Sequence, residues 1–170
     1  MNLHAPDPMP EPTPPEPTRH SEAQALAKLR TIHHSILALD ALEAGARRAE
    51  AGGETFEDAD EILERLHEIP LSAEYRTDWY ALDEEPDELY ERLVEPTEAR
   101  LLLCAGGTEV QLHCLLHEDG SREPTLQHRD RFEDWEALTA PAMIAASLDP
   151  VACQRSLIRF TQLISVFAND

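Results

Sequence analysis

The groups in this chain that could do chemistry are dominated by carboxylates. Between Glu54 and Glu98 lie 17 Asp and Glu residues against three Arg, a balance of −14 in 45 residues, whereas the stretches before and after carry −2 and −4. Glu57, Asp58, Glu61, Glu64 and Glu68, with Asp60 beside them, recur at the steps that line one side of a helix. Asp83, Glu84, Glu85, Asp87, Glu88 and Glu91 form a second run. Duplex DNA carries about one charge per 1.7 Å of axis, and a rigid row of carboxylates can imitate it well enough to occupy a basic groove. Both runs are therefore candidate partner-binding residues. The plain alternative is a solvated face that aids solubility.

His113, Cys114, His117 and His128 fall close together and raise the question of a metal. Strand alternation sends His113 and Cys114 to opposite faces, and no pair has zinc-knuckle spacing, so no metal ligand is assigned. His33-His34 straddles a helix face, with His33 at the core edge and His34 in solvent. Ala105-Gly106-Gly107 could cradle an anion, but between two strands it reads as a hairpin turn. There is no G-x-S-x-G, P-loop, G-x-G-x-x-G or H-E-x-x-H. Carboxylates are so abundant that two near each other do not argue for acid–base catalysis. We assign no catalytic residue and no cofactor, and expect a protein that is not an enzyme.

The elements that must position these groups centre on a β-meander from Glu98 to Phe132. Arg100–Cys104 is a short apolar run ending in the glycine turn. Val110, Leu112, Cys114 and Leu116 then alternate with Glu109, Gln111, His113 and Leu115. His117–Gly120 is a second turn, before a strand at Thr125–Arg129. Tyr75, Thr77 and Trp79 alternate with Arg76, Asp78 and Tyr80, which predicts a further strand between Glu74 and Leu82.

Ahead of the sheet, Ser21–Gln24 has the form of a capping box. A long helix follows through Ala25, Leu29, Ile32, Ile36 and Leu39, weakened at Gly45 and stopped by Gly52-Gly53. Thr55–Asp58 opens a second helix carrying Ile62, Leu63, Leu66 and Ile69, ended by Pro70. After the sheet, Asp134–Leu138 reads as one helical turn ended near Pro141. Asp149-Pro150 reads as N-cap and first residue of a last helix. The expected fold class is α+β: a helical hairpin over 21–69 and a helix over 149–166 packed on a three- to four-stranded antiparallel meander over 74–132. Residues 20–170 would form one domain behind a Pro-rich tail, 1–19, that cannot bury a core.

Composition bounds the partner. The 170 residues hold 34 acidic and 14 basic side chains, a net charge of −20, so direct nucleic-acid binding is disfavoured and basic surfaces are favoured. Three cysteines without a C-x-x-C pair read as reduced thiols. No apolar run approaches the roughly 18 residues of a membrane span, and no signal peptide is visible, so the expectation is a cytoplasmic protein.

Arg76-Thr77-Asp78-Trp79-Tyr80, Leu101–Gly107, Leu116–Gly120 and Leu126–Asp130, with Asp134-Trp135 close behind, form a recognisable succession. On these motifs, residues 75–135 resemble a family of short acidic proteins encoded by bacteriophages, plasmids and conjugative elements of proteobacteria, in which an acidic helical hairpin precedes the sheet. The motifs cover about a third of the chain. It departs from the pattern in its Pro-rich tail, its His- and Arg-containing third meander strand and its longer C-terminal segment. The resemblance implies a mobile-element setting, in which many small acidic proteins inhibit host defence; joined to the concentrated carboxylates, it gives the expectation of an anti-CRISPR or anti-restriction type inhibitor that binds a basic nucleic-acid-binding surface, with DNA mimicry as one way of doing so. Two alternatives come from other classes: an accessory protein that forms a homodimer through the long helix, and a small metal-dependent enzyme.

Overall fold

The computed structural model describes residues 19–76 and 97–164. Their elements in chain order are α1 (His20–Glu43), β1 (Ala49–Ala51), β2 (Glu54–Phe56), α2 (Ala59–His67), β3 (Ser72–Arg76), β4 (Glu98–Cys104), β5 (Thr108–Leu116), β6 (Arg122–Asp130), β7 (Glu136–Ala137), α3 (Ala140–Ala145) and α4 (Pro150–Leu163). The class is α+β, with four helices, a two-stranded and a five-stranded sheet among the described residues, and every strand pair antiparallel.

Helix α1 is the centre of the packing. Ala25, Leu29, Ile32, Ile36 and Leu39 are at most 2 % exposed, and Leu26, His33, Ser35 and Ala38 are buried too, so far more than one stripe is enclosed. The helix packs on β5 and β6, on α4, on α2 and on β1. Each buried Leu or Ile contributes roughly 1.5–3 kcal/mol relative to an exposed one.

Both ends of α1 differ from the sequence reading. Arg19 is the N-cap and makes no side-chain cap bond. Ser21 does not cap; its Oγ, 1 % exposed, donates to Asp130 Oδ2 at 3.0 Å and lies 3.1 Å from His128 Nδ1. A hydroxyl has one proton, so with Asp130 receiving it His128 Nδ1 must donate to Ser21. Two strand partners outcompete the local cap. At the other end the helix stops at Glu43, not at Gly52-Gly53. Gly45 has φ +94°, its amide donates to Leu42 O and that of Ala46 donates to Ala41 O, which is a Schellman stop. Gly52 and Gly53, at φ +62° and +85°, instead form the two-residue turn between β1 and β2. The two expected hairpin helices are thus joined through a small β-hairpin, and Thr55-Phe56 belong to it, with α2 starting after Asp58.

In the larger sheet the strand order is β3-β4-β5-β6-β7. The expected meander corresponds to β4–β6, and β3 pairs with β4 through Ser72↔Leu102 and Glu74↔Arg100. Residues 77–82 of the expected first strand lie outside the described residues, as do residues 1–18 of the tail and the last residues of the helix expected to reach 166. Where a helical turn was expected at Asp134–Leu138, β7 pairs with Gln127 and His128, and buried Leu138 donates its amide to Leu126 O. The β6 ladder offers partners that a lone helical turn lacks. Pro141 then falls in the first turn of α3 rather than ending a helix, with Thr139 Oγ1 accepting from the Ala142 amide.

Helix α4 starts as its sequence suggests. Asp149 accepts from the amides of Val151 at 2.8 Å and Ala152 at 3.0 Å, which hold its carboxyl below the usual range. Ser156 on its buried side lies 2.8 Å from His33 Nδ1. Burial pushes the His33 imidazole below its ordinary value, with His34 adding to the effect and Asp149 opposing it. The native state therefore favours neutral His33. Stability from this group is complete above the unfolded value near 6.5 and declines as pH falls below it. Urea unfolding at pH 7.5 and pH 5.5 should show a smaller acid loss in His33→Gln than in the parent chain; an unchanged loss would place the acid sensitivity elsewhere.

Candidate interaction surface

Helix α2 has one apolar side. Ile62 and Leu66 are fully buried and Ile69, just beyond, is 9 % exposed. At about 100° per residue, Asp60, Glu61, Glu64 and Glu68 fall within an arc of about 100° centred opposite Ile62 and Leu66. All four are exposed. The rise from Asp60 to Glu68 is about 12 Å, so the four carboxylates average one per roughly 4 Å. That density is close to one strand of DNA, at about 3.4 Å per phosphate, and about half that of a duplex.

Not every expected member of the row is available. Asp58 is the N-cap: its Oδ1 accepts from the Asp60 amide at 3.0 Å, so it serves the helix. Glu57 is exposed but pairs with Arg48 at 2.8 Å. Arg65 pairs with Glu54 and lies over the Phe56 ring at 5.6 Å, tying α2 to β2. His67 Nε2 lies 3.1 Å from Leu163 O, tying the other end of α2 to α4. Among the described residues, Asp60, Glu61, Glu64 and Glu68 have no cation within ion-pair distance. The second expected run, Asp83, Glu84, Glu85, Asp87, Glu88 and Glu91, lies outside the described residues.

The four possible metal-binding side chains are dispersed. His113 lies on the sheet face away from the helices, 3.3 Å from Glu98, whereas buried Cys114 points into the core. His117 lies in a turn 3.5 Å from Glu123, and His128 is buried against Ser21. Among the described residues no three His, Cys, Asp or Glu side chains converge as metal ligands do. Burial pushes the Cys114 thiol up to about 11 and also raises that of Cys153, so both thiolates are disfavoured as nucleophiles. The Ala105-Gly106-Gly107 stretch is the turn between β4 and β5, with Gly106 at φ +130°. The apolar stripe of α1, the expected dimer face, is spent inside the chain.

One arrangement was not foreseen from sequence. Glu109 and Arg129 are cross-strand partners, form an ion pair, and Arg129 Cζ lies 4.4 Å from the Trp135 ring centroid. The period-2 pattern placed Glu109 and Arg129 on strands, but their contact depends on the β5–β6 register and on a turn that folds Trp135 back. No family model matches the chain, and neither a curated protein nor a solved structure matches it.

The separation of capping from display is measurable by urea unfolding. Asp58→Ala should lower stability by about 1 kcal/mol, whereas Glu64→Gln should change it by less than about 0.5 kcal/mol. Equal losses would make the row part of the fold's own support.

Proposed function

We propose that this protein is a binding module that presents the outer row of α2 to a basic surface of another macromolecule. The observation that carries this reading is that Asp60, Glu61, Glu64 and Glu68, on a helix anchored by its opposite face, have no cation within ion-pair distance among the described residues. Their placement does not serve the helix throughout. Asp60 and Glu61 lie in the first turn, where the helix dipole favours a carboxylate, but Glu64 and Glu68 lie toward the last turn, where it opposes one by about 0.3–1 kcal/mol each. A net charge of −20 adds long-range attraction for a cationic partner.

The resemblance of residues 75–135 to acidic proteins of mobile elements supports a host defence protein with a nucleic-acid-binding surface as the partner class. The geometry refines the mimicry. One row at the charge density of a single strand covers about 12 Å, so α2 alone suits a short basic groove or a single-strand channel. Imitation of a duplex needs a second row, for which the Asp83–Glu91 run is the candidate.

Replacing Asp60 with Asn and Glu61, Glu64 and Glu68 with Gln removes four charges without touching the buried side of α2. Capture of partners from a proteobacterial lysate, identified by mass spectrometry at low and high salt, should fall roughly 10-fold or more at low salt, and its salt dependence should flatten. Undiminished capture by the folded variant would reduce the row to a solvated surface.

A further inference from the structure

We infer that the sheet face turned away from the helices holds a separate site for a neutral, hydroxyl-rich small molecule of mono- to disaccharide size. The face carries a trough of about 360 Å³ running from β3 toward Trp135, within the lower range of ligand sites. One end is formed by Glu74 and Arg100, which are cross-strand partners on β3 and β4. The other is formed by the Glu109–Arg129 pair with Trp135 against the guanidinium. Between them lies Gln111, 6 % exposed, whose Nε2 donates to Gln127 Oε1 at 2.7 Å. Its own Oε1 has no hydrogen bond from a described residue, which leaves an acceptor on a side chain that lines the trough.

The lining selects the ligand by elimination. Two Arg and two Glu sum to zero formal charge in a chain of −20, so this surface has been kept locally neutral. An anion would meet Glu74 and Glu109 and be repelled by the chain as a whole; a cation would meet Arg100 and Arg129. An apolar molecule would cover Gln111 and the charged side chains without offering them hydrogen bonds. Hydroxyl groups each donate and accept, which suits guanidinium donors alternating with carboxylate and carboxamide acceptors. The half-buried indole of Trp135 offers an apolar wall for the C–H side of a sugar ring. The site shares no residue with the acidic row of α2 and stands independently of it.

Calorimetric titration with four probes, glucose, maltose, glucose 6-phosphate and glucosamine, separates these terms, because the two charged sugars differ from glucose chiefly in charge. Glucose or maltose should bind at least about 10-fold more tightly than either charged sugar. Trp135→Ala should weaken that binding roughly 10-fold or more while the far-ultraviolet circular dichroism is unchanged. The substitution Glu74→Gln should raise the affinity for glucose 6-phosphate severalfold, since the lining then carries a net positive charge. Absence of neutral-sugar heat, equal or tighter binding of a charged sugar, or indifference to Trp135→Ala would each overturn the inference.

Discussion

Enclosure of α1 is the constraint on which the rest of the structure depends. Hydrophobic burial has little directionality, so a helix lined with Ala, Leu and Ile could slide or rotate in its bed at small cost. Two buried polar contacts prevent this. Ser21 engages His128 and Asp130 of β6 at the start of the helix, and His33 engages Ser156 of α4 about 18 Å further along. Displacing the helix by one turn would leave those groups buried without partners, at about 1–3 kcal/mol for each. No buried side-chain polar atom among the described residues lacks a partner in the observed arrangement. The contacts that fix α1 therefore fix the relation of β6 to α4, because each grips a different turn of the same helix.

Helix α2 inherits its position from that arrangement. Nine residues are too few for a helix to be stable alone in water. It persists because Ile62 and Leu66 have the α1 wall to bury against, because Asp58 caps its start, and because His67 and Arg65 tie it to α4 and β2. Mutual repulsion among the outer carboxylates works against the helix and is offset by that docking. A row of like charges is sustained here by the side that does not carry it.

Much of this could be read in the sequence wherever a local rule faced no tertiary competitor. The meander was legible because period-2 alternation and glycine turns are properties of the strand itself, and Asp149-Pro150 was legible because both of its bonds are to its own helix. The reading of Ser21 failed for the opposite reason, since its hydroxyl found two partners more than 100 residues away. Gly45 and Gly52-Gly53 exchanged roles because a glycine pair suits a helix stop and a two-residue hairpin equally, and strands of three residues leave no periodicity to separate the two. For the acidic row the helical spacing was informative, but spacing alone did not show that Asp58 was committed to capping and Glu57 to Arg48. The trough was invisible because its residues come from four strands and a turn and meet only through register.

The acidity of the chain then divides by position in the fold. Glu98 and Glu109 on the open sheet face are half-buried, and a partly desolvated charge is tolerated when a cation or hydrogen-bond donor stands beside it. Glu109 accordingly has Arg129, and Glu98 has His113 and, at 3.7 Å, Arg100. Fully solvated carboxylates face no such demand: Glu54 and Glu57 still have Arg65 and Arg48, whereas among the described residues those on the outer arc of α2 have no cation within ion-pair distance. A compositional bias toward Asp and Glu, such as a salt-adapted or GC-rich host would impose, accounts for the number of acids but not for their concentration between Glu54 and Glu98. Half-buried and exposed carboxylates alike find cations where the fold brings an arginine near, and among the described residues the outer arc of α2 is where it does not, so that charge is available to something outside the fold.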